Sequence, residues 1–224
     1  MTVEITYYSD MLCIWAYVAE ARLVAVQQSF GTDVTIRHRF CSVFGDARGK
    51  LAAGWRERGG LAGYNRHVTG IAARFPHIAV APSVWLDHQP ASSASPHLFL
   101  TAVKQWEHAT RPDAEPVFEA LMAALRRAFF AEGRDIAQWA VQVAVAEAFG
   151  VDIAAIEARY RDGTAFAELS ADYQDADKLR IEGSPTLVLN EGRQKLYGNV
   201  GFRIIEANIK EMLREPTADQ ASWC

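Results

Sequence analysis

The spacing of apolar residues changes twice along the chain, from strand-like runs at the two ends to helix-like runs in the middle. Near the N-terminus, Val3–Tyr8 is a short β-branched and aromatic run that predicts a buried strand. Ile14–Phe30 is rich in Ala, Val, Leu and Gln and predicts a helix that ends before Gly31. Val34–Phe40 alternates apolar and polar residues, which predicts a second strand. Because a helix separates the two strands, we expect them to pair in parallel.

Between about Asp46 and Leu179 the apolar residues recur at helical spacing. A Pro- and Ser-rich stretch, Pro82–Pro96, predicts a loop within this part. The predicted helices are Leu61–Phe75, Pro96–Ala109, Glu115–Glu132, Asp135–Phe149, a helix capped by Asp152 that stops at Gly163, and Ala165–Arg180.

The strand pattern returns near the C-terminus. Thr186–Asn190 and Gln194–Tyr197 flank a turn in which Gly192 supplies the positive φ, and Phe202–Leu213 predicts a closing helix. The order β-α-β, helices, β-β-α predicts an α/β protein, a thioredoxin fold with an all-helical insertion. We expect residues 1–45 and 180–216 to form the thioredoxin-like domain, 46–179 the insertion and 217–224 a flexible tail.

Composition narrows the class of protein. Half of the 224 residues are apolar and 22% are charged, as in ordinary globular chains. The net charge of −4 argues against a nucleic-acid or anionic-membrane partner, and no apolar run approaches the roughly 18 residues that span a bilayer. The N-terminus lacks the pattern of a signal peptide and the three cysteines are a poor disulfide framework, so we expect a cytoplasmic protein. The histidines show no metal-binding spacing, and no metal is expected.

Cys13 lies where the first predicted strand gives way to the first helix. The unpaired N–H groups and positive end of a helix favour an anion there, so we expect a lowered pKa for the Cys13 thiol and a thiolate nucleophile. The alternative is a packing residue, because free cysteines are often buried. Asp10, three residues earlier, either tunes this pKa or caps a turn.

Pro185 stands at the start of a predicted strand, where proline removes a hydrogen-bond donor from the ladder. A cis Ser184–Pro185 bond would account for this position, and a trans-proline turn is the alternative. In the first case we expect Cys13 Sγ to lie within van der Waals reach of Pro185. The backbone of Ser184 and Thr186 would then pair with an extended substrate.

These two segments together resemble the DsbA-like thioredoxin-fold family, and within it the FrnE-like branch. The branch's site pattern, D-x-x-C-P-W-C-Y, is matched at Asp10, Cys13, Trp15 and Tyr17, and its second pattern, G-x-P-T, at Gly183, Pro185 and Thr186. The resemblance covers nearly the whole chain. It implies a thiol–disulfide oxidoreductase in which Trp15 and the segment Ser184–Thr186 bind substrate or glutathione.

The chain departs from the pattern at two positions, because Ile14 replaces proline and Ala16 replaces the second cysteine. A site with two cysteines resolves its own mixed disulfide, which Ala16 is unable to do. We therefore expect Cys13 to act alone, with a small thiol such as glutathione as co-substrate and no tightly bound cofactor. Small disulfides and protein disulfides are the expected substrates, and a homodimer is left open.

Two other functions stay open. The kappa-class glutathione transferases and 2-hydroxychromene-2-carboxylate isomerases resemble this chain in fold, carry serine at the position of Cys13, and hold glutathione non-covalently. Their use of the turn before the last helix for the γ-glutamyl end implies a binding role for Asn199 and Phe202, whose alternative is simple capping. The loss of the second cysteine at Ala16 favours a third reading, a non-catalytic thiol- or peptide-binding module.

The other two cysteines have simpler interpretations. Cys41 closes the second predicted strand and is expected to be a packing residue. Cys224 is the last residue and is either an inert terminal thiol or a thiol that resolves a mixed disulfide at Cys13.

Overall fold

Four strands form one mixed sheet. The strands are β1 (Val3–Ser9), β2 (Val34–Phe40), β3 (Thr186–Leu189) and β4 (Gln194–Tyr197). Their spatial order is β2-β1-β3-β4, with β1 parallel to β2 and β3 antiparallel to both β1 and β4. The predicted parallel pairing of the first two strands is confirmed. The computed structural model describes residues 2–112 and 115–214, and the predicted tail with Cys224 lies outside them.

Helices α2 to α8 lie between β2 and β3 along the chain, so the thioredoxin fold with a helical insertion is confirmed. The helices of the described residues are α1 (Ile14–Phe30), α2 (Ala47–Gly54), α3 (Gly60–Ala72), α4 (Ala94–Thr110), α5 (Phe118–Phe130), α6 (Trp139–Ala146), α7 (Ile153–Arg161), α8 (Thr164–Lys178) and α9 (Phe202–Leu213).

Several helices are shorter than the apolar spacing predicts. Helix α3 ends at Ala72, because Pro76 disfavours the α-helical conformation of the residue before it. The N–H of Phe75 instead donates to Ala72 O in a hydrogen bond of the 3₁₀ type. Helix α5 begins only at Phe118, where the Glu107 carboxylate accepts its backbone N–H at 2.9 Å. Helix α2 was not predicted as a separate element, and Asp46 caps it.

The hairpin between β3 and β4 turns through a short 3₁₀ segment, Asn190–Gly192. All three residues have positive φ, from 51° at Asn190 to 94° at Gly192. The prediction had assigned this conformation to Gly192 alone. Asparagine tolerates the left-handed region, but Glu191 adopts it as well, at 55°.

Two hydrophobic cores lie along α1, one at each end of the helix. One lies between the sheet, the C-terminal half of α1, and α9, and contains Tyr7, Leu23 and Ile205. The other is built from the helices of the insertion and includes the residues that open α1, from Met11 to Val18. The segment that carries Cys13 therefore packs in the core of the insertion, which also includes Phe40 of β2.

A buried arginine links the insertion to the thioredoxin part. Arg126 of α5 is fully buried, and its guanidinium donates to Glu20 Oε1 of α1 at 2.8 Å and to Ser9 Oγ at the end of β1 at 2.9 Å. A buried charge is tolerated only when it is paired and hydrogen-bonded. The pair thus fixes α5 against both elements that lead into the site.

We predict that Arg126→Met and Glu20→Gln each lower the free energy of unfolding by about 3 kcal/mol, because each leaves the other partner without its counter-charge. The double variant should lose less than the sum of the two single losses, by about 1 kcal/mol or more. Urea unfolding of the four proteins measures this coupling. Arg37→Met, which removes an exposed ion pair with Glu4, is the control and should change stability by about 0.5 kcal/mol or less. Additive losses would contradict the role of the buried pair.

Candidate active site around Cys13

Cys13 is the N-cap residue of α1, with an extended backbone conformation. Its carbonyl oxygen accepts from the N–H groups of Ala16 and Tyr17, at 3.1 and 3.2 Å, and its own N–H donates to Asp10 O at 3.2 Å. The residue is 6% exposed. The predicted position at a strand-to-helix junction is therefore confirmed, but the sulfur lies in a nearly closed environment.

The Cys13 thiol donates a hydrogen bond to the carbonyl oxygen of Ser184, with 3.1 Å between Sγ and O. The two residues are 171 positions apart in sequence. The Ser184–Pro185 peptide bond is cis, and Ser184 Oγ accepts from the Asp10 N–H at 2.9 Å. Ser184 thus contacts both ends of the segment from Asp10 to Cys13.

The pKa of the Cys13 thiol is raised, not lowered as the sequence led us to expect. Burial is the main cause, and the nearby Asp10 carboxyl adds to it. Hydrogen bonds from the Ser184 side chain and from the backbone at the start of α1 act in the opposite direction. The helix terminus therefore stabilises the thiolate as predicted, but this effect is smaller than the cost of removing a charged sulfur from water.

Asp10 is fully buried and organises the backbone around Cys13. Its Oδ1 accepts from the N–H of Leu12 at 2.9 Å, and its Oδ2 accepts from the N–H of Phe44 at 2.8 Å and from Ser93 Oγ at 2.7 Å. Burial raises the pKa of Asp10, while these hydrogen bonds lower it. Of the two predicted roles, turn capping is thus observed directly, and the effect on the thiol is to raise its pKa.

His97 supports the same segment and was not singled out by the sequence analysis. Its Nε2 accepts from the Met11 N–H at 3.0 Å, so the proton resides on Nδ1, which lies 2.8 Å from the Tyr173 hydroxyl. Burial, reinforced by Arg126, lowers the pKa of His97 well below its ordinary value, so the ring is neutral. Nothing in the local sequence around His97 marks this role, because its partner lies 86 residues away.

The other predicted binding residues of α1 and β3 differ in their exposure. Trp15 is half-buried in the first turn of α1, with its ring edge-on to Phe75 at 6.0 Å. Thr186 is buried and has strand neighbours on both sides, so it lies inside the sheet and not at an open edge. Ser184 is consequently the member of this segment whose backbone faces the sulfur.

Asn199 and Phe202 lie in and after the turn that leads into α9. The turn is joined to the site through Gly198, whose N–H donates to Pro185 O at 2.8 Å. Asn199 Oδ1 is enclosed and has no hydrogen-bond partner among the described residues, while Phe202 packs against the core between α1 and α9. No hydrogen bond in the described part of the chain joins either residue to Cys13.

Two positions bear on whether the site has a second thiol, and both are buried. Ala16 is fully enclosed one turn after Cys13. Cys41 is 2% exposed, follows β2, and donates its N–H to Ser9 O at 3.1 Å. Burial raises the pKa of Cys41 far above its ordinary value, in agreement with the predicted packing role.

A cavity of about 910 Å³ lies elsewhere, along the outer edge of β2. Neither Cys13 nor Pro185 lines it, and several charged side chains on its wall are paired, namely Arg39 with Asp175 and Lys104 with Glu168, while His38 is hydrogen-bonded to Glu119. Within residues 2–112 and 115–214, no group of acidic, histidine or cysteine side chains is arranged to hold a metal ion. Over the same residues, no helix has the length and apolar character that crossing a bilayer requires.

Several solved structures share this architecture. A probable DsbA oxidoreductase from Streptomyces coelicolor superposes with a TM-score of 0.73 at 22% identity, over 96% of this chain and 92% of that one. The cytosolic disulfide reductase DsbM from Pseudomonas aeruginosa gives 0.64 at 19% identity, over 93% and 99%, and a structure of it with GSH gives 0.65. A 2-hydroxychromene-2-carboxylate isomerase gives 0.63 at 18% identity, over 93% and 95%.

At these identities the similarity to solved structures establishes the fold. No curated protein sequence matches the chain. The family model for the DSBA-like thioredoxin domain matches residues 4–210, which include Cys13, Pro185 and all four strands except the first residue of β1. The chain therefore belongs to the DsbA-like thioredoxin domain family.

Proposed function

We propose that the protein is a thiol–disulfide oxidoreductase that works through the single thiol of Cys13, with a small thiol such as glutathione as the second substrate. The observation that carries the proposal is the contact between Cys13 Sγ and the carbonyl of Ser184, beside the cis bond to Pro185. This contact holds the one thiol of the α1 terminus against the backbone segment that would bind an extended substrate. Glutathione as a partner is supported by the fold shared with DsbM, which has been crystallised with GSH.

The proposed reaction has two exchange steps. The Cys13 thiol loses its proton to solvent, and the thiolate attacks one sulfur of a disulfide R–S–S–R′. The bond between Cys13 and R–S forms while R′–S⁻ leaves and takes up a proton. A second thiolate then attacks the mixed disulfide and releases Cys13. Because Ala16 carries no sulfur, this second thiolate comes from outside the helix.

The elements around Cys13 have separate roles in this scheme. The N–H groups of the first turn of α1 stabilise the thiolate after the proton has left. The carbonyl of Ser184 accepts from the thiol in the resting protein, and it accepts from a substrate N–H once the thiol has lost its proton. Asp10 and His97 hold the backbone of the segment in place through Leu12, Phe44 and Met11.

A second candidate function is a glutathione transferase or glutathione-dependent isomerase. The observation that favours it is the raised pKa of Cys13, because a protonated thiol donates a hydrogen bond much as a serine hydroxyl does. Cys13 would then bind the thiolate of glutathione without forming a covalent bond. The third alternative, a non-catalytic binding module, rests on the absence of a second thiol at Ala16 and is compatible with the raised pKa of Cys13. For the oxidoreductase we propose a cytoplasmic location, which the cytosolic relative DsbM supports.

We predict that Cys13→Ser lowers the rate of thiol–disulfide exchange at least about 100-fold, since it removes the nucleophilic sulfur at the start of α1. Cys41→Ala and Cys224→Ser should retain most of the activity. Peptide mapping by mass spectrometry after treatment with glutathione disulfide should show a glutathionyl group on Cys13 of the native protein, and none at this position in Cys13→Ser. Tight glutathione binding without an adduct would favour the transferase. If Cys224→Ser stops turnover in the absence of added glutathione, the C-terminal thiol resolves the adduct.

We predict that the reactivity of Cys13 keeps increasing at pH values where the reactivity of an ordinary thiol has levelled off. Its pKa is raised, so at pH 7 it is less ionised than a free cysteine with a pKa of about 8.5. The alkylation rate with iodoacetamide should therefore rise about tenfold per pH unit from pH 6 to 8 and keep rising above pH 9. Mass spectrometry of the peptide that contains Cys13 isolates this thiol from Cys41 and Cys224. A plateau near pH 7 would show instead that the helix terminus dominates.

We predict that Ala16→Cys allows Cys13 to form an intramolecular disulfide on oxidation. The two positions are separated by one helical turn, a spacing compatible with the Cα distance of about 5–6 Å that disulfides prefer. Peptide mapping after oxidation identifies the bond, and the variant should turn over with less dependence on added glutathione. Ile14→Cys is the control, because adjacent residues do not face each other on a helix. A folded Ala16→Cys variant without this disulfide would contradict the assigned geometry.

A further inference from the structure

Tyr197 is a largely exposed aromatic residue next to the segment that contacts Cys13. It is the last residue of β4, pairs in register with Thr186, and exposes 64% of its surface. The next residue, Gly198, donates its N–H to Pro185 O at 2.8 Å. The ring therefore lies at the end of the sheet where the proposed substrate binds.

The Tyr197 ring lies directly on the main chain of Gly183. A Cβ atom at Gly183 would lie 2.7 Å from Cε2 and 2.8 Å from the hydroxyl oxygen of Tyr197, closer than side-chain atoms pack. The φ of Gly183 is not in the left-handed region, so its backbone conformation does not require glycine. The Tyr197 ring instead occupies the space that a side chain at Gly183 would fill. Gly183 directly precedes Ser184 in the chain.

This arrangement extends the proposed site along the backbone. Ser184 O lies 3.1 Å from Cys13 Sγ, and Gly183 is the adjacent residue. A peptide that pairs with Ser184 while its cysteine reacts with Cys13 has to pass over Gly183 or its neighbours. The exposed face of Tyr197 is then within reach of the residue beside the substrate's cysteine, since consecutive Cα atoms are about 3.8 Å apart.

We propose that Tyr197 is a specificity-determining residue that selects peptide disulfides with an apolar side chain next to the reacting cysteine. The inference rests on the proposed function of Cys13 and adds the class of substrate. An aromatic ring that packs against another aromatic ring gains stabilisation beyond the effect of the area that the two rings bury. The ring of Tyr197 gains this contact only when a substrate covers it, because most of its surface faces solvent in the free protein.

The test compares three disulfides of graded size. Two are mixed disulfides of glutathione with the peptides acetyl-Phe-Cys-Phe-amide and acetyl-Gly-Cys-Gly-amide, and the third is bis(2-hydroxyethyl) disulfide. The native protein should have a lower KM for the Phe peptide than for the Gly peptide. Tyr197→Ala should raise KM for the Phe peptide about three- to tenfold, with little change for the Gly peptide or the small disulfide.

Three variants make the result specific. Tyr197→Phe should keep the preference, because the ring and not the hydroxyl provides the contact. Phe166→Ala is a matched control, since Phe166 is also 64% exposed but belongs to α8. Gly183→Ala should reduce the preference by displacing the ring. Thermal unfolding and the alkylation rate of Cys13 establish that each variant retains the fold and the nucleophile.

The outcomes separate this inference from the proposed function. If the native protein exchanges disulfides with equal KM for both peptides, or if Tyr197→Ala lowers activity on all three substrates equally, Tyr197 does not select the substrate and the proposed function stands. If the native protein exchanges none of the three disulfides, both proposals fail.

Discussion

The carboxylate of Asp10 imposes the constraint on which the candidate site depends. A buried carboxyl group must be hydrogen-bonded, and Asp10 meets this requirement with donors from three separate parts of the chain. Leu12 belongs to the segment leading to Cys13, Phe44 follows β2, and Ser93 precedes α4. Satisfying one buried group thus brings the sheet, the insertion and the start of α1 together at one point, and His97 reinforces that point through Met11.

The burial that results from this packing also determines the pKa of the Cys13 thiol. A helix terminus and hydrogen-bond donors favour a thiolate, and burial opposes it, with burial the stronger effect at Cys13. The resting thiol therefore keeps its proton and shares it with the carbonyl of Ser184. In the proposed reaction, entry of solvent into the site would oppose the effect of burial and favour ionisation of Cys13.

The sequence predicts an element correctly where the residues that determine it are close together in the chain. The strands, the helix α1 and its end at Gly31 follow from runs of apolar residues and from a stop signal within a few positions. Cys13 and Pro185 were paired through a family pattern, since nothing in their own neighbourhoods links them. His97 and Ser93 escaped notice because their partners are distant in sequence. The pKa of Cys13 was predicted with the wrong sign because a helix terminus is visible in a sequence, whereas burial by the insertion is not.

The contact between Cys13 and Ser184 also affects the protein during its synthesis. Cys13 precedes its hydrogen-bond acceptor by 171 residues, so the acceptor is synthesised much later, just before strand β3. Until then β1 lacks its neighbour on that side, and the thiol lacks the carbonyl that holds it. A chain that ends before Ser184 thus lacks both the carbonyl acceptor of the Cys13 thiol and the strand that pairs with β1, although the helices of the insertion that bury Cys13 are already present.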